Sequence, residues 1–157
     1  MAVLTSARLA VWQAIDNFPL LSQGGKSVFA RTYRYESTPP NFQIEIGPAL
    51  TEMPAIGIFP SHALPEWFTS QIQTMPFSLN VVIWTPEADI ELAEKLPEQV
   101  IYALHQSGPA PGFVKRATGF YPIANGPIQF AKTKLGAIRT QQTVVLRLQI
   151  DPLNGSA

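Results

Sequence analysis

Residues 77–96 read FSLNVVIWTPEADIELAEKL, and the spacing of the apolar side chains changes midway. As far as Trp84 they alternate. Phe77, Leu79, Val81 and Ile83 fall on one side and Ser78, Asn80, Val82 and Trp84 on the other, which is the period of a strand. From Ile90 the period lengthens: Ile90, Ala93, Pro97, Val100 and Leu104 lie three or four apart and form one face of a helix. At the junction Thr85 has an N-capping hydroxyl, Pro86 suits a first helical position, and Glu87 and Asp89 complement the positive end of the helix dipole. The stretch therefore predicts a strand that becomes a helix without a loop, and a kink or division of that helix at Pro97.

Toward the N-terminus, Leu4, Ala7, Val11, Ile15 and Phe18 give a helix over residues 5–18 one apolar face, with Thr5 or Ser6 as cap and Asn17 and Pro19 at its end. SQGGKS (22–27) is a turn. In SVFARTYRYES (27–37), Phe29, Tyr33 and Tyr35 alternate with Ala30, Thr32 and Arg34 as in a half-buried strand. Residues 37–54, with four prolines, form a long excursion holding a short strand at IEI (44–46). A buried strand follows at 55–59, ended by Pro60, and the long strand QIQTMPFSLNVVIW occupies 71–84.

Toward the C-terminus, SGPAPG (107–112) ends the second helix, turns fall at 124–127 and 135–136, and IQFAK (128–132) is strand-capable. In TVVLRLQID (143–151), Val144, Leu146, Leu148 and Ile150 make one strongly apolar face. The expected fold is α+β, one domain over residues 1–157. A mainly antiparallel sheet is covered on one face by the N-terminal helix and by the helix after the long central strand.

Charged residues make up only 14% of the chain, below the roughly 25% of ordinary soluble domains, so partners are expected to cover some surface. The net charge of zero hides an asymmetry. Residues 1–100 hold five Lys and Arg against ten Asp and Glu, a net of −5, whereas 101–157 hold six against Asp151 alone, a net of +5. With no cysteine, disulfides and thiolate metal sites are excluded. The N-terminal stretch is interrupted by Arg8, Gln13 and Asp16 and reads as a helix rather than a signal, and no apolar run approaches the roughly 18–20 residues of a membrane span.

The motifs of catalysis and cofactor binding are missing. GGKS (24–27) resembles the end of a phosphate-binding loop, but Leu20 stands where that loop needs glycine, and a strand follows instead of a helix. His62 and His105, the two histidines, have no companion ligands at metal-binding spacing. Glu87, Asp89, Glu91, Glu94 and Glu98 read as the solvated side of an amphipathic helix rather than paired catalytic carboxylates. There is no nucleophile elbow and no dinucleotide loop, so neither an enzyme nor a cofactor is expected. The segment carrying Lys115, Arg116, Lys132, Lys134 and Arg139, with Phe113, Phe120, Tyr121 and Phe130 among them, combines charge and aromatics as single-strand binders do, which makes a small nucleic-acid-binding module an alternative.

The order of elements resembles a known family: an N-terminal helix, a strand of the type PAIGIF, a long strand leading through IWTPEADIELAEKL into a helix, and a last strand of the type TVVLRLQI. Over residues 4–150 this is similar to the tail terminator proteins of long-tailed phages, the lambda type. The resemblance implies a non-enzymatic α+β subunit that forms a hexameric ring, halts tail-tube polymerisation and provides the head–tail joining surface. It further implies the tail tube and connector proteins as partners, DNA passing through the lumen without specific binding, and a place in the virion after assembly in the host cytoplasm. Other neck and tail-completion proteins share related folds. A ring needs two different patches on each subunit. The expected pair is the acidic flank Glu91, Glu94 and Glu98 against the basic residues Lys115, Arg116, Lys132, Lys134 and Arg139 of a neighbour.

Overall fold

The long central strand runs from Gln73 to Pro86 and organises everything else. In the computed structural model, which describes residues 3–63, 66–67, 73–105 and 121–150, helix α1 (Val3–Asp16) leads to a small hairpin of β1 (Ser22–Gln23) and β2 (Lys26–Ser27). Then come β3 (Arg31–Arg34), β4 (Ala55–Ala63), β5 (Glu66–Trp67), the central β6, α2 (Ile90–His105), β7 (Tyr121–Asn125), β8 (Gln129–Lys132) and β9 (Ala137–Ile150). Strand β6 pairs with β9 in unbroken antiparallel register from Gln73↔Ile150 to Pro86↔Ala137. On its other side it pairs antiparallel with β4, from Ala55↔Trp84 to Ala63↔Phe77. The sheet follows the path β3-β4-β6-β9-β7, with β5 on β6 and β8 on β9, and its β3–β4 pair is parallel. The fold is thus α+β with a mostly antiparallel sheet.

Alternation along β6 feeds two cores. Phe77, Leu79, Val81 and Ile83 lie with Ile56, Ile58, Val144 and Leu146 beneath both helices, which contribute Ala7, Val11 and Ile15 from α1 and Leu96, Val100 and Leu104 from α2. Val82 and Trp84 point to the opposite face, where Tyr33, Met53, Ala55, Phe59 and Ala137 form a second core with Phe42 and Ile44 packed against it. The proline-rich excursion closes over this second face. The Trp84 indole N–H donates to the Ile44 carbonyl at 3.0 Å. Tyr33 and Phe42 stack at 4.4 Å and both meet Trp84 edge-on. Gly47, at φ +77°, crosses the indole so closely that a Cβ there would lie 2.5 Å from Trp84 Cδ1.

Several local expectations give way to tertiary contacts. Thr85 and Pro86 do not begin the second helix; they pair with Ile138 and Ala137 of β9 as the last residues of β6. The buried Thr85 hydroxyl faces the Ile138 carbonyl at 3.5 Å, and the Glu87 N–H donates to Gly136 O at 3.0 Å. A short turn follows, and the cap is Asp89, whose Oδ1 accepts from the Leu92 N–H at 3.1 Å while its carbonyl accepts the first helical bond from Ala93. The predicted face holds at Ala93, Pro97, Val100 and Leu104, which are buried together with Leu96 and Ala103, while Ile90 in the first turn is 62% exposed. Pro97 does not divide α2, although it removes the amide that would bond to Ala93 O.

Tyr35 leaves the strand as the first residue of a 3-10 turn and is exposed. Residues 44–46 form a turn rather than a strand. Pro60 does not end β4, because β3 reaches only as far as Ile58; the proline lies beyond it, next to a bulge between Pro60 and His62. The final strand begins at Ala137, well before Thr143.

Leu146→Ala should cost about 2 to 4 kcal/mol in urea unfolding, through lost burial plus a cavity, and an unchanged midpoint would remove Leu146 from the core. Asp89→Ala should cost about 1 kcal/mol, the usual loss for a missing cap. If Asp89→Ala were neutral, the cap would have to be sought at another residue.

Candidate functional site

Register along β9 determines which side chains of β8 share a face with the helices. Phe130 pairs with Thr140 and Lys132 with Ile138, and these β9 residues pair in turn with Ile83 and Thr85 of β6, on the helix side. The hairpin that returns β8 onto β9 is closed by Thr133, whose N–H donates to Ala137 O at 2.8 Å and whose hydroxyl accepts from the Ala137 N–H at 3.1 Å, with Gly136 at φ +82°. Helix α2 packs over β6 and β9. Between α2 and β8 lies an open groove of about 670 Å3, lined by Ile90, Glu94, Glu98 and Ile101 on the helix side and by Ile128, Phe130, Ala131, Lys132 and Ile138 on the sheet side.

Its charge is mixed and partly unanswered. Lys132 Nζ stands 3.0 Å from Glu87 Oε1 of the same chain, an exposed pair of the kind that contributes little stability. Glu98 accepts a hydrogen bond from the Tyr102 hydroxyl at 3.0 Å, and this bond to a carboxylate holds the phenol above its ordinary pKa. Glu94 has no cation among the described residues.

The residues singled out from sequence are distributed as follows. Glu91, Glu94 and Glu98 are all exposed on α2. The structure brings Glu94, Glu98 and Lys132 together at one groove within one chain. Lys134 is exposed in the β8–β9 turn, and Arg139 points to the face opposite the helices, level with Trp84. Lys115 and Arg116 lie outside the described residues, as does the 107–112 segment expected to end the helix. The apolar lining, Ile101, Ile128 and Ile138, was not singled out from sequence; the alternation phase of 128–132 against β9 was the signal that could have found it.

Toward the β3 edge of the sheet, two arginines tie α1 to the end of β3 and to the turn that follows it. The Arg8 guanidinium lies 5.4 Å from the Tyr35 ring centroid and 3.4 Å from Glu36, and that of Arg34 lies 4.7 Å from the Trp12 ring and 3.6 Å from Asp16. Partial burial pushes the Asp16 carboxyl above its ordinary range, while Arg34 pulls it back. A raised carboxylate pKa means that the folded state holds the proton more tightly, so this contribution to stability is present at low pH and is lost as pH rises from 3.8 through the folded value. Wild type should therefore lose stability relative to Asp16→Asn across that window, measured by urea unfolding between pH 3 and 7. A difference independent of pH would show that the carboxyl is unperturbed.

Other candidates stay isolated. His62 is exposed, with ring nitrogens 3.2 Å from Ser61 Oγ and 3.4 Å from Ser78 Oγ. Gly24 and Gly25, at φ +62° and +78°, form the two-residue turn of the β1–β2 hairpin rather than a phosphate loop. Among the described residues no three His, Cys, Asp or Glu converge as a metal site, and no helix is long and apolar enough to cross a membrane. No protein-family model and no curated protein matches the sequence.

Proposed function

We propose that this chain is a structural ring subunit of a phage neck or tail, of the tail-terminator type. It acts by self-association, ends growth of the tail tube and offers the surface on which the head is joined. The observation that carries this reading is the placement of the exposed large apolar side chains. Ile90, Tyr102, Phe130 and Leu135 surround the α2–β8 corner, whereas Leu20, Tyr35 and Leu50 lie in the segments before and after β3, at the opposite edge of the sheet. Unlike sets of exposed apolar side chains on different parts of one subunit are what a heterologous contact needs, and a heterologous contact whose rotation closes makes a ring. The low charge content and the order of elements agree with it.

In this reading the partners are further copies of the chain, the tail tube and connector proteins, with DNA passing through the lumen, and the ring belongs to the virion. A nucleic-acid-binding module is less well supported, because Lys132 is paired with Glu87 and shares its groove with Glu94 and Glu98, which lowers the local positive field.

Light-scattering mass and a projection image of the purified protein should reveal a closed ring. A strict monomer at every concentration tested would defeat the proposal. Steep, salt-dependent DNA binding by that monomer would favour the nucleic-acid module instead.

A further inference from the structure

The β1–β2 hairpin has an exposed tip, and the α2–β8 groove presents the carboxylates of Glu94 and Glu98, neither of which has a cation partner among the described residues. The hairpin is firmly rooted. Leu21 and Phe29 on either side of it are buried in the helix-face core, and the Val28 N–H donates to Leu21 O at 3.0 Å. Its tip is bare: a Cβ on Gly24 or Gly25 would meet nothing within 4 Å. Lys26 beside the tip is exposed and has no acidic partner among the described residues, and Leu20 at the base is 50% exposed. Across the sheet, the groove combines an apolar floor at Ile101, Phe130 and Ile138 with Glu94 and Glu98. Lys132, the cation of that groove, is engaged with Glu87.

We propose that the β1–β2 hairpin of one subunit enters the α2–β8 groove of the next, with Leu20 against the apolar floor and Lys26 between Glu94 and Glu98. The occupant is thus a second copy of this chain. The proposal rests on the ring reading and names the contact that closes the ring. Charge and shape both argue for it. The hairpin brings a cation and an apolar side chain to a site that has two carboxylates and an apolar floor. From Ile90 to Ile101 the helical wall runs about 16 Å at 1.5 Å per residue, and a two-stranded ribbon with strands about 5 Å apart fits along it. Hairpin and groove are different surfaces of one subunit, so each copy donates one and receives one, as a closed ring requires.

Because the chain has no cysteine, an engineered pair reports this contact without background. Lys26→Cys and Glu98→Cys in one chain, oxidised mildly after assembly, should give a covalent ladder on a denaturing gel that stops at the ring number, while either substitution alone gives none. Independently, Lys26→Glu should weaken assembly by about fivefold per contact, the scale of an exposed charge pair, and adding Glu94→Lys and Glu98→Lys should recover most of that loss. Native mass and circular dichroism are recorded for every variant. A ring by native mass without a ladder, or with no recovery in the combined charge reversal, would remove the hairpin from the groove and leave the ring reading standing. A folded wild-type monomer would overturn both.

Discussion

The rest of the molecule depends on β6 being hydrogen-bonded along both edges and buried on both faces through its second half. When both faces are apolar, alternation alone discriminates weakly between registers, since a slip by one residue exchanges one set of hydrophobic side chains for another. Shape supplies the discrimination. Trp84 needs space that Gly47 and Gly57 provide: a Cβ on Gly57 would lie 2.6 Å from the Phe59 ring and 3.3 Å from Trp84. The indole N–H also needs an acceptor and finds Ile44 O. In a slipped register Ile83 or Thr85 would occupy that space, too small to fill it, and Trp84 would press into the tightly packed face under the helices.

This explains which parts of the fold were legible in the sequence. Where one local pattern controls the outcome, as in the alternation from Phe77 to Trp84 or the helical spacing from Ala7 to Ile15, the structure follows it. Where a distant strand competes, the local signal loses. Thr85 and Pro86 make a good helix start on their own, but fourteen paired residues of β9 carry the strand past them and leave Asp89 to cap. The second core was illegible because residues 38–54 have no periodicity, and the bond that fixes them joins residues forty positions apart. The same holds at the candidate site. The spacing of Glu91, Glu94 and Glu98 shows one helix flank, but that Lys132 stands beside Glu87 of the same chain depends on the phase of β8 against β9.

The groove is a consequence of unequal widths. Two helices pack over β6 and β9, and β8 extends the sheet one strand further. Its helix-side residues, Phe130 above all at 54% exposure, therefore gain strand pairing without gaining cover. Such surface costs free energy in water and is retained in stable monomers only as small patches. Low charge sharpens the point, since few charged side chains are available to screen it.

How that surface is used is constrained by the edge beside it. β8 has only four residues and presents Lys132 at its end, two of the features by which proteins keep a sheet edge from recruiting another strand. Backbone pairing along this edge is thus weakly favoured, while the apolar floor and the carboxylates of α2 remain accessible to side chains arriving from outside. Contacts made by insertion into a groove fix both the angle and the direction of approach, because only one orientation brings a cation to Glu94 and Glu98 while covering Ile101. Strand addition to a short edge would fix neither, and a ring closes only when every contact repeats the same angle. In the proposed ring, the shortness of β8 and the position of Glu94 and Glu98 would act together: the first disfavours a permissive contact, and the second orients a selective one.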